Sequence, residues 1–258
     1  TGATTISASG QDITLDEAAS TFGTLALTGA NVAVTDAGAT DLGASTVSGT
    51  LGITSAGAVT DSGTLAVTGA TTISASGQDI TLDQAASTFG TLALTGANVA
   101  VTENAATDLG ASTVSGTLGI TSGGAITDSG TQAITGDATF TNTAGTDAAI
   151  TLDDASNAFG GTVTFATDSG SAVTIVDTTA LDLKALTAAS LSATIGGAVT
   201  DSGTLAIAGA TTISASGQDI TLDQAASTFG TLALTGANVA VTENAATDLG
   251  ASTVSGTL

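Results

Sequence analysis

The sequence has no cysteine, proline, histidine, methionine, tryptophan or tyrosine. Without histidine or cysteine it has neither the usual zinc ligands nor the common nucleophile–base pairs. No Gly-x-Ser-x-Gly or Walker-type loop is present. Phenylalanine is the only aromatic, with 6 copies. Basic residues are reduced to Lys184 against 23 acids, a net charge of −22. That sign disfavours nucleic acid and anionic membranes and favours cations or basic partners. No apolar run reaches the ~18 residues of a transmembrane helix. Lack of cysteine is compatible with export where disulfides are not used.

What remains is small and repetitive. Glycine (34 copies), alanine, threonine and serine dominate, and the 42% apolar content is mostly Ala, Val, Leu and Ile. Such a chain can fill only a thin core, which suits a narrow rod better than a round domain of 258 residues. The key stretch is Thr24 to Asp36, TLALTGANVAVTD. At period two, Leu25 and Leu27 face one way, as do Val32 and Val34 after the break at Gly29-Ala30. Two short half-buried strands meet at a tight corner. Helices are disfavoured by this spacing and by the glycine and β-branched content.

Self-comparison divides the chain into cassettes 1–67, 68–134, 135–207 (divergent) and 208–258 (partial); residues 70–118 and 210–258 are identical. No distinct caps bound this array, so one continuous solenoid segment of a longer array is expected. Within the 67-residue cassette the glycines mark rungs at Thr24–Gly49, Thr50–Ala70 and Thr71–Gly90, three strand-like pieces each. Leu25/Leu27 would then register with Leu51/Ile53 and Ile73. Val32/Val34 would register with Val59 and Ile80/Leu82, and Leu42/Val47 with Leu65/Val67 and Phe89. The expected fold is all-β: a right-handed parallel β-helix, three short strands per rung of about 22 residues and three rungs per cassette. An antiparallel sandwich is the competitor, but gives no reason for one side chain to recur in one slot every turn. Phe22, Phe89, Phe159 and Phe229, one per cassette, read as core filler. Glycine at corners allows positive φ.

The candidate chemistry is acidic. The second strand of successive rungs ends at Asp16, Asp36, Asp61, Asp83, Glu103, Asp128, Asp153, Asp177, Asp201, Asp223 and Glu243, one per rung. Stacked ~5 Å apart, neighbouring carboxylates would repel by ~1 kcal/mol even in water. They either splay at solvated corners and accept hydrogen bonds from turn amides, or form a line of weak Ca²⁺ sites. GGxGxD repeats and EF-hand loops are missing. Asp153-Asp154 is the candidate for paired glycosidase carboxylates, but near-identical cassettes leave no place distinct enough for an active site. Lys184, in LDLKAL, reads as a solvated side chain.

The phrases DITLDQAASTFGTLALTGANVAVTENAATDLGASTVSG and GGAITDSGTLAI resemble repeats of filamentous-haemagglutinin-like exoproteins, large bacterial surface adhesins often exported by two-partner secretion. The resemblance covers essentially the whole chain. It implies a right-handed β-helical shaft on the bacterial cell surface or outside the cell, with a role in adhesion, biofilm or filament building. The implied partners are like chains, end to end or side by side, and a host or neighbouring-cell surface, with no membrane insertion. Two other functions remain: a binding solenoid for ice or cations, using outward Thr24, Thr28 and Thr35 or the acidic line, and a polysaccharide-acting β-helix enzyme.

Overall fold

The computed structural model describes residues 2–145 and 147–258. It is a parallel β-solenoid of about 12 turns, consistent with a right-handed coil, with 31 strands in one continuous sheet system. No helix occurs among the described residues. Side chains alternate as period two requires. In Thr91–Gly96, Leu92 and Leu94 are fully buried, while Thr91, Ala93 and Thr95 point outward. The buried residues form one core cluster running along the shaft.

Two sheets persist through the whole shaft. The first stacks Thr4–Ser7, Thr24–Gly29, Thr40–Leu42, Val59–Asp61, Ile80–Leu82, Val99–Glu103, Leu118–Ser122, Ala138–Asn142 and Thr162–Ala166. The second stacks Ile13–Leu15, Val32–Asp36, Leu51–Ser55, Thr71–Ser74 and Thr91–Gly96, then Thr107–Leu109 and onward to Thr228–Gly236. The third side of the triangle is intermittent. It opens wherever one long strand carries two strands above it. Thr24–Gly29 bears Thr40–Leu42 on its first half and Ser45–Val47 on its second. Thr91–Gly96 does the same for Thr107–Leu109 and Ser112–Val114. The third side closes again where a short corner covers it: Asn104 donates its backbone N–H to the Ser87 carbonyl at 2.9 Å.

The long strand therefore lies in the first sheet in cassette one and in the second sheet in cassette two. Seven steps of the first sheet separate Thr24–Gly29 from its third-cassette counterpart Thr162–Ala166. Seven steps of the second separate Thr91–Gly96 from Thr228–Gly236. Two cassettes make seven turns, so one cassette makes three and a half. Sequence phasing counts the three full turns; the extra half turn comes from the rung beginning at Thr24, whose Thr24 already pairs with Asp41. Accordingly Leu51 and Ile53 stack on Val32 and Val34, not on Leu25 and Leu27, and Leu42 stacks on Asp61. Val59 likewise stacks on Thr40 in the first sheet, not on Val32 or Val34, whereas Ile53 with Ile73, Val59 with Ile80 and Val47 with Val67 pair as expected.

Corners are fastened by side chains. Asp79 accepts both the backbone N–H and the side-chain amide of Asn98, at 3.1 and 3.0 Å. The Asn98 carbonyl oxygen in turn accepts the N–H and hydroxyl of Thr117, both at 3.1 Å. Asp12–Asn31–Thr50 and Asp219–Asn238–Thr257 repeat this three-turn clasp. The divergent cassette has Ala149 and Ala172 in place of the acid and the amide, so both halves of the clasp are lost together. Asn98→Ala should cost about 1 kcal/mol, since exposed groups rehydrate on release; urea denaturation checks it, with faster hydrogen exchange confined to the turns touching Asn98. Positive φ is needed only at Gly10, Gly77, Gly145 and Gly217 (φ 74, 74, 64 and 77°) among the described residues.

Candidate functional site

The eleven acids do not form one column. They resolve into three cassette positions with different tasks, and the structure brings together only particular pairs.

Asp36, Glu103, Asp177 and Glu243 share the first position, at the end of VAVTD, VAVTE, TIVD and VAVTE. Period two places Asp36 on the same side as Val32 and Val34, so it turns inward where the third side of the shaft closes. Closing a side leaves the backbone N–H groups beneath it without a strand above, and a buried unpaired N–H is costly. These carboxylates supply the acceptor. Glu103 accepts the Phe89 N–H at 2.8 Å and the Thr107 hydroxyl at 2.9 Å. Asp177 accepts N–H groups of Phe159 and Thr179 and the Thr179 hydroxyl on one oxygen. Glu243 accepts the Phe229 N–H. Asp36 takes the Gly38 N–H and the Thr40 hydroxyl.

Asp61, Asp128 and Asp201 hold the second position, and each seats the loop of the turn above. Asp61 accepts the N–H groups of Asp83 and Gln84, and Asp201 that of Asp223. Asp128 accepts the N–H groups of Asp153 and Asp154 and the Asn157 amide. The third position, Asp16, Asp83, Asp153 and Asp223, is exposed. The pairs brought together are thus Asp61 with Asp83, Asp128 with Asp153 and Asp201 with Asp223. Among the described residues no three acids converge into a metal-type cluster.

Burial dominates the electrostatics. Asp61, Glu103, Asp128, Asp177 and Asp201 have carboxyls pushed above the usual range by desolvation, with the donated N–H and side-chain hydrogen bonds pulling back. One oxygen each of Asp177 and Asp201 is buried with no partner. These are structural acids whose charge is costly, quite unlike a solvated cation ladder.

The divergent cassette carries a cleft of about 330 Å³ lined by Asp137, Gly160, Gly161, Thr162, Asp182 and neighbours. Thr24 and Thr91 donate to Asp41 and Asp108 at 2.7 and 2.9 Å, but the equivalent Thr162 hydroxyl and one Asp182 carboxylate oxygen are buried and unpartnered. Lys184 marks the same corner. It stands where the other cassettes have a corner glycine (Gly43, Gly110, Gly250), beside a one-residue register step between Val163 and Thr164 that those cassettes share. Its side chain is exposed, as the sequence implied. Asp137 accepts the Thr162 N–H at 2.9 Å; that bond chiefly, with a smaller pull from the Lys184 charge, holds its carboxyl below the usual range. Asp153-Asp154 is a turn: Asp154 accepts the Thr131 hydroxyl and the Ser156 N–H.

The cassettes also match a known sequence family. A family model described as repeats of unknown function (DUF5649) matches residues 1–28, 29–95, 96–166 and 170–235, most of the chain. The chain belongs to this family. In these DUF5649 repeats the unit boundary falls in or just after the long strand, at 28/29 within Thr24–Gly29 and at 95/96 within Thr91–Gly96. The family unit 29–95 therefore has the length of one cassette. No curated protein and no solved structure matches the chain.

Proposed function

We propose that this array is the structural shaft of a secreted or cell-surface bacterial fibre or adhesin, supporting adhesion, biofilm growth or filament assembly. The carrying observation is the unbroken stack of near-identical turns, in which every cassette adds a fixed length and the acids are committed to holding corners. The proposed partners are like chains in a fibre and a host or neighbouring-cell surface. An acidic surface of net charge −22 keeps shafts apart unless cations or a basic partner intervene. Catalysis is not part of this reading.

The binding-solenoid reading ranks second. Thr24 and Thr28 lie on the first sheet and Thr35 on the second, so they share no face. A different file favours it: Thr35, Thr54, Ser74, Thr95 and Thr113 stack outward in register. Its companion file is Ala33, Gly52, Thr72 and Ala93, which gives one row of hydroxyls rather than a two-dimensional grid.

The shaft reading is tested by display. Anchored on a non-adherent bacterium, the intact chain should promote cell–cell or cell–surface attachment, and arrays with fewer cassettes should do so in graded fashion. Attachment unchanged by display of any length, measured by flow-cell retention, would sink it.

A further inference from the structure

Each cassette makes three and a half turns, so successive cassettes cannot present the same side. From this we infer that the array is a two-sided scaffold, in which the parity of the cassette decides the side on which its surface is displayed. The clearest markers are four outward positions that are equivalent in sequence: Ala33, Ala100, Thr174 and Ala240. Ala33 and Thr174 lie in the second sheet, Ala100 and Ala240 in the first. All four sit in the turns where the third side has closed. There the section is flattened to two sheets face to face, ~10 Å apart, and the two sheets are the opposite sides of the shaft.

The geometry has the character of a twofold screw. One cassette advances half a turn and ~17 Å, and the same side recurs after ~34 Å, taking 4.8 Å per turn. Whatever patch one cassette exposes is therefore offered to both sides in alternation. A shaft of even a few cassettes can engage two partners facing one another, or neighbours on its left and right, through equivalent surfaces. Adding or removing one cassette turns everything beyond it to the opposite side, and adding two restores it.

The junctions allow this. Removing residues 68–134 joins Val67 to Thr135 and sets Ala138–Asn142 on Leu51–Ser55 in place of Leu118–Ser122. Both supports read LGITS, so the local stacking is unchanged. Only the sheet changes, from first to second, and every later strand follows.

The absence of cysteine makes the test clean. Ala33→Cys/Ala100→Cys, Ala100→Cys/Ala240→Cys and Ala33→Cys/Thr174→Cys chains, biotinylated and bound to monovalent streptavidin, are imaged by negative-stain electron microscopy. Tags should lie on opposite sides for the first pair and on the same side for the other two. In the chain lacking 68–134, the Ala33/Thr174 tags should move to opposite sides. Ala33 and Ala100 tags on one side would overturn the inference, as would a deletion that folds with its tags still together. The inference rests on strand register alone, so a shaft that supports no adhesion in the display experiment would leave it standing.

Discussion

Phe140→Ala is expected to cost about 3–5 kcal/mol, the range for large aromatic truncations in a closed core. Phe140 is fully buried. Its ring meets Phe159 edge-on at 6.0 Å and stacks on Phe165 at 5.8 Å, 23° from parallel. Phe140 and Phe165 are also register partners on successive turns of the first sheet. Truncation therefore removes both ring contacts, each worth ~0.5–1.5 kcal/mol beyond burial, and leaves a void between stacked turns. A thin core with neighbours only above and below has little to collapse into that void. In a solenoid the loss stays local. Hydrogen exchange should accelerate from about Leu118 to Leu186, the turns bracketing the cluster, while cassette one keeps its protection. Phe140→Leu should recover a good part of the stability. Equal acceleration in all cassettes would mean that the shaft opens as one unit, against nearest-neighbour energetics.

The architecture was legible because the physical signal repeats. Alternation at period two gave the strands, and recurrence gave the stacking. Phe159, fully buried, and Phe89 and Phe229, both 6% exposed, are core filler as expected. The half turn was hidden because TLALTG looks like one strand among others. Its six residues span the width of two faces, and only the pairing of its halves with Asp41-Leu42 and Thr46-Val47 reveals that. The aromatic cluster was hidden for a related reason: Phe140 and Phe165 belong to the divergent cassette alone.

The acids carry a parity signal within their own strands. In VTD, Asp61 shares the parity of buried Val59 and so points inward; in ITLD, Asp83 follows buried Leu82 and continues the alternation, so it points outward. As strand ends alone the two look alike, though Asp61 is buried and Asp83 exposed. Parity along each strand would have separated them, although what the buried ones bind depends on where the third side closes, which no local pattern encodes.

Acidification should raise the melting temperature of this protein between pH 7 and about pH 4, the reverse of ordinary acid denaturation. Asp61, Glu103, Asp128, Asp177 and Asp201 have folded-state pKa values above the usual carboxylate range because burial penalises their charge. A raised folded pKa means that the native chain takes up protons before the unfolded chain does, so stability grows as pH falls. That contribution is fully present below the unfolded carboxylate pKa of about 4 and is lost as pH rises through the raised folded values. Relief of repulsion within a net charge of −22 adds in the same direction. Asp137, whose carboxyl is held low, opposes it, but it is exposed and single. Asp177→Asn isolates the buried part. One Asp177 oxygen accepts all three hydrogen bonds and the other is buried and bare, so an amide oriented with its NH₂ there keeps the acceptor and removes the charge. At pH 7 this variant should melt higher than the parent, and its melting temperature should climb less on acidification. The check is thermal unfolding by circular dichroism from pH 7 to 4 at constant ionic strength. A parent chain that loses stability steadily over that range would show that the corner carboxylates favour their charged state when folded, and that the N–H groups they accept outweigh the cost of burying them.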